Sequence, residues 1–458
     1  MPQRSAKIRR LKFWWHLLHA YIKRYQIRIF ATIVILFLVI FAAYKTIPNV
    51  IRSNIITIGY VGSYNLQTLP SEVLSLATQP LISKDANGRG VPALASHWTV
   101  SEDGKTYIVF LKDNLQWHDG SVVEAKDISL AIKNVDIAAL NNKTIQFKLP
   151  NPIASFPLAL DIPVFKASTF YGTGEFRIVD LNQIGDVIKK ITLHPKDSSL
   201  PRVEIKFYPT EQQAVYALKI GEIKVLAVSN VKELEKWPNL NVKKEVDAQK
   251  LVSVFYNTSD SLLSSRDLRQ ALSYAITKDT FDGQDAITPI AFTSWAYNPN
   301  VKKYEFNQAK AKELFAKAEA KNKTITLSYM PGLKTIAQGI KDDWSYLGLN
   351  IILKEEKGIP KDFQALLAVD QIPTDPDQYT LWHSTQKTTN ITNYANVKID
   401  KLLEDARVAQ KEDERKALYQ DFQRFLVDDA PATFLYYPYK YMVNYKNVEN
   451  LLAKLPKS

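Results

Sequence analysis

Apolar positions recur with a period of two in many short runs and with a period near 3.6 in a few longer ones. Ile55-Ile56-Thr57-Ile58 predicts a first strand, followed by a turn-rich stretch to Leu66. Residues 97–111 alternate on both sides of Glu-Asp-Gly and predict a β-hairpin. Thr144–Leu149, closed by Pro150, and Val203–Tyr208 predict further strands. Leu251–Tyr256 carries no charge, which predicts a strand buried between neighbours. Helical spacing appears in Glu124–Val135, where Ala125, Ile128, Ala131, Ile132 and Val135 share a face. It recurs in Glu211–Ile220, Leu268–Ile276, Asn307–Ala320, Ile399–Gln410 and Glu412–Asp428. Ile325–Tyr329, Ile336–Leu347 and Asn350–Lys354 read as strand, helix, strand, so part of the sheet is expected to be parallel. Thr433–Tyr437 predicts a late strand. The pattern is α/β with β-rich early insertions. About 400 residues exceed one core, so two or three lobes are expected.

Charge changes the picture at one end only. The chain has 458 residues and a formal net charge of +12. Ten of its 59 Lys and Arg, and none of its 47 Asp and Glu, precede Glu72, which leaves 49 against 47. Nucleic-acid binding needs the excess on a folded face, and is disfavoured. The terminal excess instead flanks Ile29–Tyr44, sixteen residues without a charge. They span roughly 24 Å as a helix, enough to cross a bilayer if Arg28 and Lys45 snorkel. The basic side then stays cytoplasmic and the rest faces outward. This predicts a single-pass cell-membrane anchor. A cleaved signal peptide is the competing reading, but the basic leader is long and Ala42-Ala43-Tyr44 is a poor cleavage site.

Catalytic signatures are missing. There is no Gly-x-Ser-x-Gly elbow, P-loop, Gly-x-Gly-x-x-Gly or His-Glu-x-x-His. Without cysteine, disulfides, thiol catalysis and Cys-ligated metals are excluded. Asp85-Ala86-Asn87-Gly88 begins like a calcium loop but lacks the closing glutamate, and reads as a turn. Neither an enzyme, a cofactor nor a metal site is expected.

Pro80–Ala131 contains Pro92-Ala93-Leu94-Ala95, Trp98, Asp103-Gly104-Lys105-Thr106-Tyr107, His118-Asp119-Gly120 and Ala125-Lys126-Asp127. This stretch closely resembles the signature region of the family 5 extracellular solute-binding proteins, the oligopeptide, dipeptide and nickel receptors of ABC importers. The resemblance continues through Gly172–Phe176, Phe255–Thr258, Arg266–Lys278, Lys310–Ala318, Ile340–Ile352, Asn393-Tyr394, Asp400–Ala406, Glu412–Phe425 and Asp429-Ala430-Pro431, and covers essentially residues 55–446. It implies a type II periplasmic-binding-protein-like fold: two α/β lobes and a small β-rich extra domain, here preceded by one N-terminal transmembrane helix. The corresponding map is a leader at 1–28, an anchor at 29–45, and a first lobe from 52–75, 166–252 and 434–458. The extra domain is 76–165 and the second lobe 253–433, with hinge strands Leu251–Tyr256 and Thr433–Tyr437. The implied partners are a peptide or other small solute, ABC permease subunits with a cytoplasmic ATPase, and the membrane through the N-terminal helix. The receptor is expected to be a monomer. A receptor for nickel, a metal chelate or a glycan fragment, or a tethered sensor or adaptor, remains the alternative.

Peptide receptors of this family hold an extended peptide by its backbone, with an Asp meeting the α-amino group. The Asp precedes a loop resembling Asp375-Pro376-Asp377, and its nearest match is Asp370. Asp375 and Asp377 are read as caps. Trp382, Trp295 and Tyr297 are candidate cleft walls, with core packing as their competing role. Tyr60, in the loop after the first strand, and Tyr256 complete the candidate ligand set. The histidine of His118-Asp119-Gly120 is read as part of a structural turn, and Arg266 and Arg269 as satisfying helix and loop partners. The extra domain looks short, which reshapes the expected cleft.

Overall fold

The computed structural model describes residues 14–15, 23–25, 32, 35–37 and 54–456. The leader and the expected span Ile29–Tyr44 lie, those few residues apart, outside the described residues. Among the described residues no helix is long and apolar enough to cross a membrane.

The chain opens on β1 (Ile55–Val61) and then makes an excursion. β2 (Ile82–Lys84) pairs with β3 (Gly90–Pro92). β4 (Ala95–Val100), β5 (Thr106–Leu111), β6 (Asp136–Asn141) and β7 (Thr144–Lys148) form an antiparallel sheet in the order 4-5-7-6. Its alternating residues Tyr107, Val109, Ile145 and Phe147 bury one face against Trp117 and Phe156, giving this segment its own core. The chain returns through β8 (Phe176–Ile184), β9 (Val187–Pro195), β10 (Arg202–Tyr208), β11 (Val225–Val228) and β12 (Leu240–Val246). β1 lies parallel between β10 and β11.

The remaining strands are β13 (Lys250–Tyr256), β14 (Gly283–Asp285), β15 (Thr324–Tyr329), β16 (Asn350–Glu355), β17 (Ala365–Gln371) and the long β18 (Ala432–Tyr445). β15 is parallel to both β16 and β17, as the strand–helix–strand pattern predicts. β13 is buried on both faces. Val252, Val254 and Tyr256 join one core with Trp344; Leu251 and Phe255 join another, under the helix Glu412–Asp429. That helix places Glu412, Asp413 and Glu414 in its first turn, where the helix dipole favours negative charge. It ends at Ala430 in the left-handed region, just before Pro431. β18 ties the sheet together: Ala432–Tyr436 pairs with β13, and Tyr439–Tyr445 with β12.

Three expectations are corrected. Glu124–Val135 is not a helix: Ala125–Asp127 makes a single 3₁₀ turn, and Ile128 is extended and bridges Lys166. Ile128, Ile132 and Val135 are β-branched, so they lose rotamer freedom in a helix, and here they pack as irregular chain against the β4–β7 core. Thr433–Tyr437 is only the first part of a fourteen-residue strand. Tyr60 lies within β1, not in the loop after it.

Candidate ligand-binding site

The strand ends converge where the β1–β12 half meets the β13–β17 half. β1, β10 and β11 stop at Val61, Tyr208 and Val228. β17 stops at Gln371, opposite Lys250, where β13 begins. Val228 pairs with Tyr441 and Val246 with Tyr439, so these ends flank Pro438 and the 247–249 crossing. The crevice outside the carboxyl ends of parallel strands is where open α/β sheets bind ligands.

Asp370 sits at this place. β17 pairs with β13 over 365–371, but with β15 only over 365–367. Met330 adds one more bond, to the Leu367 carbonyl. From Ala368 to Gln371 one edge of the strand has no strand neighbour among the described residues. Burial pushes the half-buried Asp370 carboxyl up to about 6, opposed only by the Gln371 N–H. Among the described residues no cationic side chain compensates it. A buried carboxylate without a counter-charge is costly to the fold, and such perturbed acids mark functional sites.

Beside it is a cavity of about 220 Å³ whose walls include Phe255, Leu381, Trp382, Ile391 and Thr392. Trp382 is buried, its ring centroid 6.5 Å from that of Phe255 and 6.2 Å from that of Phe434. The short helix Tyr379–Trp382 sets it there, entered through a turn in which the Tyr379 N–H donates to Asp377 Oδ1 at 3.0 Å. Asp375 likewise accepts the Asp377 N–H and pairs with Arg415 at 3.1 Å, so both acids act on the loop, as the sequence reading has them.

The other candidates separate. Trp295 lines a different cavity, of about 320 Å³, together with Arg89, Tyr107, Asp375 and Arg415. Its backbone N–H donates to the Asn87 carbonyl at 3.1 Å, and the Arg415 guanidinium lies 5.3 Å from its ring centroid. Tyr256 is fully buried, its hydroxyl 2.7 Å from Thr433 Oγ1, so it belongs to the core. Tyr297 is half-buried and faces no partner at the Asp370 cavity. Tyr60 stands on the opposite half, tilted against Phe207 with 6.0 Å between centroids, and burial first, then Glu72, pushes its hydroxyl up to about 12. The structure thus brings Asp370 and Trp382 together and leaves the other four apart. Sequence reading missed Phe255, Leu381 and Ile391 as cavity walls. The uncharged run Ala365–Val369 was the available signal for a buried strand ending at Asp370.

His118 is structural. Its Nδ1 accepts the Gly172 N–H at 3.1 Å, its Nε2 lies 3.0 Å from the Gly174 carbonyl, and burial holds its pKa low. Arg269 donates to the carbonyls of Leu263, Ser264, Asp429 and Ala430. Among the described residues no three His, Cys, Asp or Glu side chains gather as a metal site. A larger open groove, about 1040 Å³, runs along the helix Glu211–Lys219. There Lys219 pairs with Glu233, and the Ser229 hydroxyl donates to the Glu211 carboxylate.

The sequence pattern of the bacterial extracellular solute-binding proteins, family 5 (middle), matches residues 89–135 and 128–392. The oligopeptide-binding protein AppA of Bacillus subtilis (strain 168) is 28% identical over 342 residues, 65% of this chain and 62% of AppA. A dipeptide-binding protein of Escherichia coli (strain K12) is 25% identical over 430 residues, 75% of this chain and 80% of its own. The crystal structure of the ABC transporter substrate-binding protein CtaP from Listeria monocytogenes has the same fold. Its TM-score is 0.72 at 22% identity, covering 85% of this chain and 93% of that one. With the family's pattern running through most of the folded body and its fold shared with CtaP, the chain belongs to family 5 of the bacterial extracellular solute-binding proteins, the receptors of ABC importers.

Proposed function

We propose that this receptor captures peptides by their α-amino end, in a cleft between two lobes, and delivers them to an ABC permease driven by a cytoplasmic ATPase. The observation that carries the reading is Asp370: an uncompensated carboxylate beside a strand edge with no neighbour. A protonated amine supplies the missing charge, and an extended backbone can add to the edge. The names of AppA and of the E. coli relative support a peptide as the solute class. Trp382 is a wall of this site, and Tyr60 faces it from the first lobe. The lobes are about 52–75, 166–252 and 434–458 for the first and 253–433 for the second, with 76–165 as the extra domain. Pivots at 247–249 and Pro438 lie just beyond the two hinge strands. Ile29–Tyr44 tethers the receptor, a monomer, to the outer side of the cell membrane.

Native mass spectrometry of the purified full-length protein, before and after mild denaturation, tests this reading. Released peptides support it, and a single non-peptide mass contradicts it. Affinity is also expected to depend on pH. Binding an amine requires Asp370 ionised, so below pH about 6 the ligand must displace a proton, and affinity falls about tenfold per unit. Above pH about 8 the peptide amine itself loses its charge, and affinity falls again. Calorimetric titrations from pH 4.5 to 9 should give this bell.

Closure should also be readable. The extra domain, inserted in the first lobe, reaches the second through Arg89, whose Nε and Nη2 each donate to Glu412 at 2.9 Å. Gly88 makes this approach possible: its φ is +84°, and a Cβ there would lie 2.7 Å from the Thr374 carbonyl. Arg89→Ala is expected to speed ligand release up to about fivefold, the range of an exposed ion pair, in stopped-flow measurements. Adding Glu412→Ala should change little more.

A further inference from the structure

The Asp370 cavity has one ionisable wall and otherwise presents apolar or hydroxyl-bearing side chains. Phe255, Ile359, Leu381, Trp382 and Ile391 make the apolar part, and Asp370 brings the single carboxylate. Trp382 adds a second feature: its Nε1–H is buried and finds no acceptor among the described residues. A buried donor without a partner costs stability and is satisfied when a ligand brings an acceptor. About 220 Å³ is the space of roughly seven waters at ~30 Å³ each, enough for an amine and one large side chain but not for a run of residues.

We infer that this cup, resting on the peptide reading above, selects peptides whose first residue carries a bulky apolar side chain. The amine meets Asp370, and the first side chain fills the space between Phe255, Leu381 and Ile391. The first carbonyl is the nearest acceptor a peptide offers to the indole N–H. A charged first side chain would lose its hydration among apolar walls, and no cation waits there to pair with an acidic one. A glycine would leave the cup unfilled. Selectivity therefore resides at position one, and later positions lie outside the cup.

The test is calorimetric titration of the purified full-length protein with tripeptides that differ at one position: Leu-Ala-Ala, Phe-Ala-Ala, Gly-Ala-Ala and Glu-Ala-Ala, with Ala-Leu-Ala as the positional control. Each buried methylene is worth roughly fourfold in affinity, so Leu-Ala-Ala should exceed Gly-Ala-Ala by at least about 30-fold. Glu-Ala-Ala should be weakest, and moving the leucine to position two should lose most of the gain. Ile359 is 61% exposed and can be changed without threatening the fold. Ile359→Asp should cut the Leu-to-Gly preference by about threefold or more, and Leu381→Ala should do the same by enlarging the cup. If all five peptides bind with affinities within about threefold, the selectivity inference is wrong and the peptide reading stands. If none binds while the protein is folded by circular dichroism, the peptide reading falls and the inference with it.

Discussion

Asp370→Asn is expected to leave a folded protein that is more heat-resistant when empty and has lost its ligand. Both effects come from one carboxylate. Its folded pKa of about 6 stands above the ordinary value of 3.8, because burial disfavours the charge. The folded state therefore holds the proton more tightly than the unfolded chain. The stabilising contribution of this one group is greatest below pH 4, declines as pH rises to about 6, and is lost at neutral pH. A gap of about two pH units between folded and unfolded chain sets a ceiling of roughly 3 kcal/mol, and after relaxation about 1–2 kcal/mol is a reasonable gain for the neutral amide at pH 7. The gain should vanish at pH 4, where the wild-type carboxyl is already protonated. Binding moves the other way. Removing one member of a desolvated charge pair costs about 2–5 kcal/mol, so a loss of at least about 30-fold in peptide affinity is expected. Scanning calorimetry at pH 7 and pH 4, with titration calorimetry at pH 7, reads both. An acid that only supports the fold would lose stability on substitution. Opposite signs in the two experiments identify a group kept at a cost to the fold for the sake of its ligand. Affinity retained within threefold would remove Asp370 as the anchor.

What sequence pattern reveals, and what it hides, follows from where the information lies. The uncharged run Leu251–Tyr256, the alternation in Ile325–Tyr329 and the helical spacing in Glu412–Asp428 are local signals, and all three elements form where expected. The helix read into Glu124–Val135 failed because its apolar residues serve a neighbouring sheet, and spacing alone does not say which surface they cover. The hairpin of β8 and β9 went unread, although Ile188, Ile191 and Leu193 are buried and Gly185 turns with a φ of 58°. The candidate site was legible in part. Asp370 and Trp382 are twelve residues apart and meet because β17 and the helix Tyr379–Trp382 are joined by one loop held by Asp375 and Asp377. Tyr256 and Trp295 are aromatic for other reasons, the first to fill a core and the second to stack on Arg415. Aromatic content signals buried area, and a core and a cleft wall both need it.

That loop leads to the largest expected loss of stability, at Arg415. Its side chain and that of Asp375 are only 10% and 12% exposed, and the two meet at 3.1 Å. Arg415 Nε also donates to the Ala406 carbonyl, and the guanidinium lies 5.3 Å from the Trp295 ring centroid and 5.6 Å from that of Tyr419. Burial pushes the Asp375 carboxyl up, and the nearby Arg415 charge opposes it. Arg415→Met keeps much of the volume but strands the acid, and breaking a buried pair in this way costs about 3–5 kcal/mol. Because the stranded carboxyl can escape by taking up a proton, the loss should be larger at pH 7 than at pH 5. Asp375→Leu alone strands the arginine and should cost a similar amount. The double variant removes both charges together, and should be less destabilised than either single one. Denaturant unfolding of the four proteins closes the cycle, and a coupling of about 2 kcal/mol or more is expected between side chains in contact. Additive losses would mean that Arg415 acts through its carbonyl and aromatic contacts, and that the ion pair does not hold the loop. A strong coupling would mean that the turn after Asp370 is pinned by charge. The geometry of the amine anchor would then depend on a pair that never touches the ligand, and Arg415→Met should weaken peptide binding at temperatures where the variant is still folded.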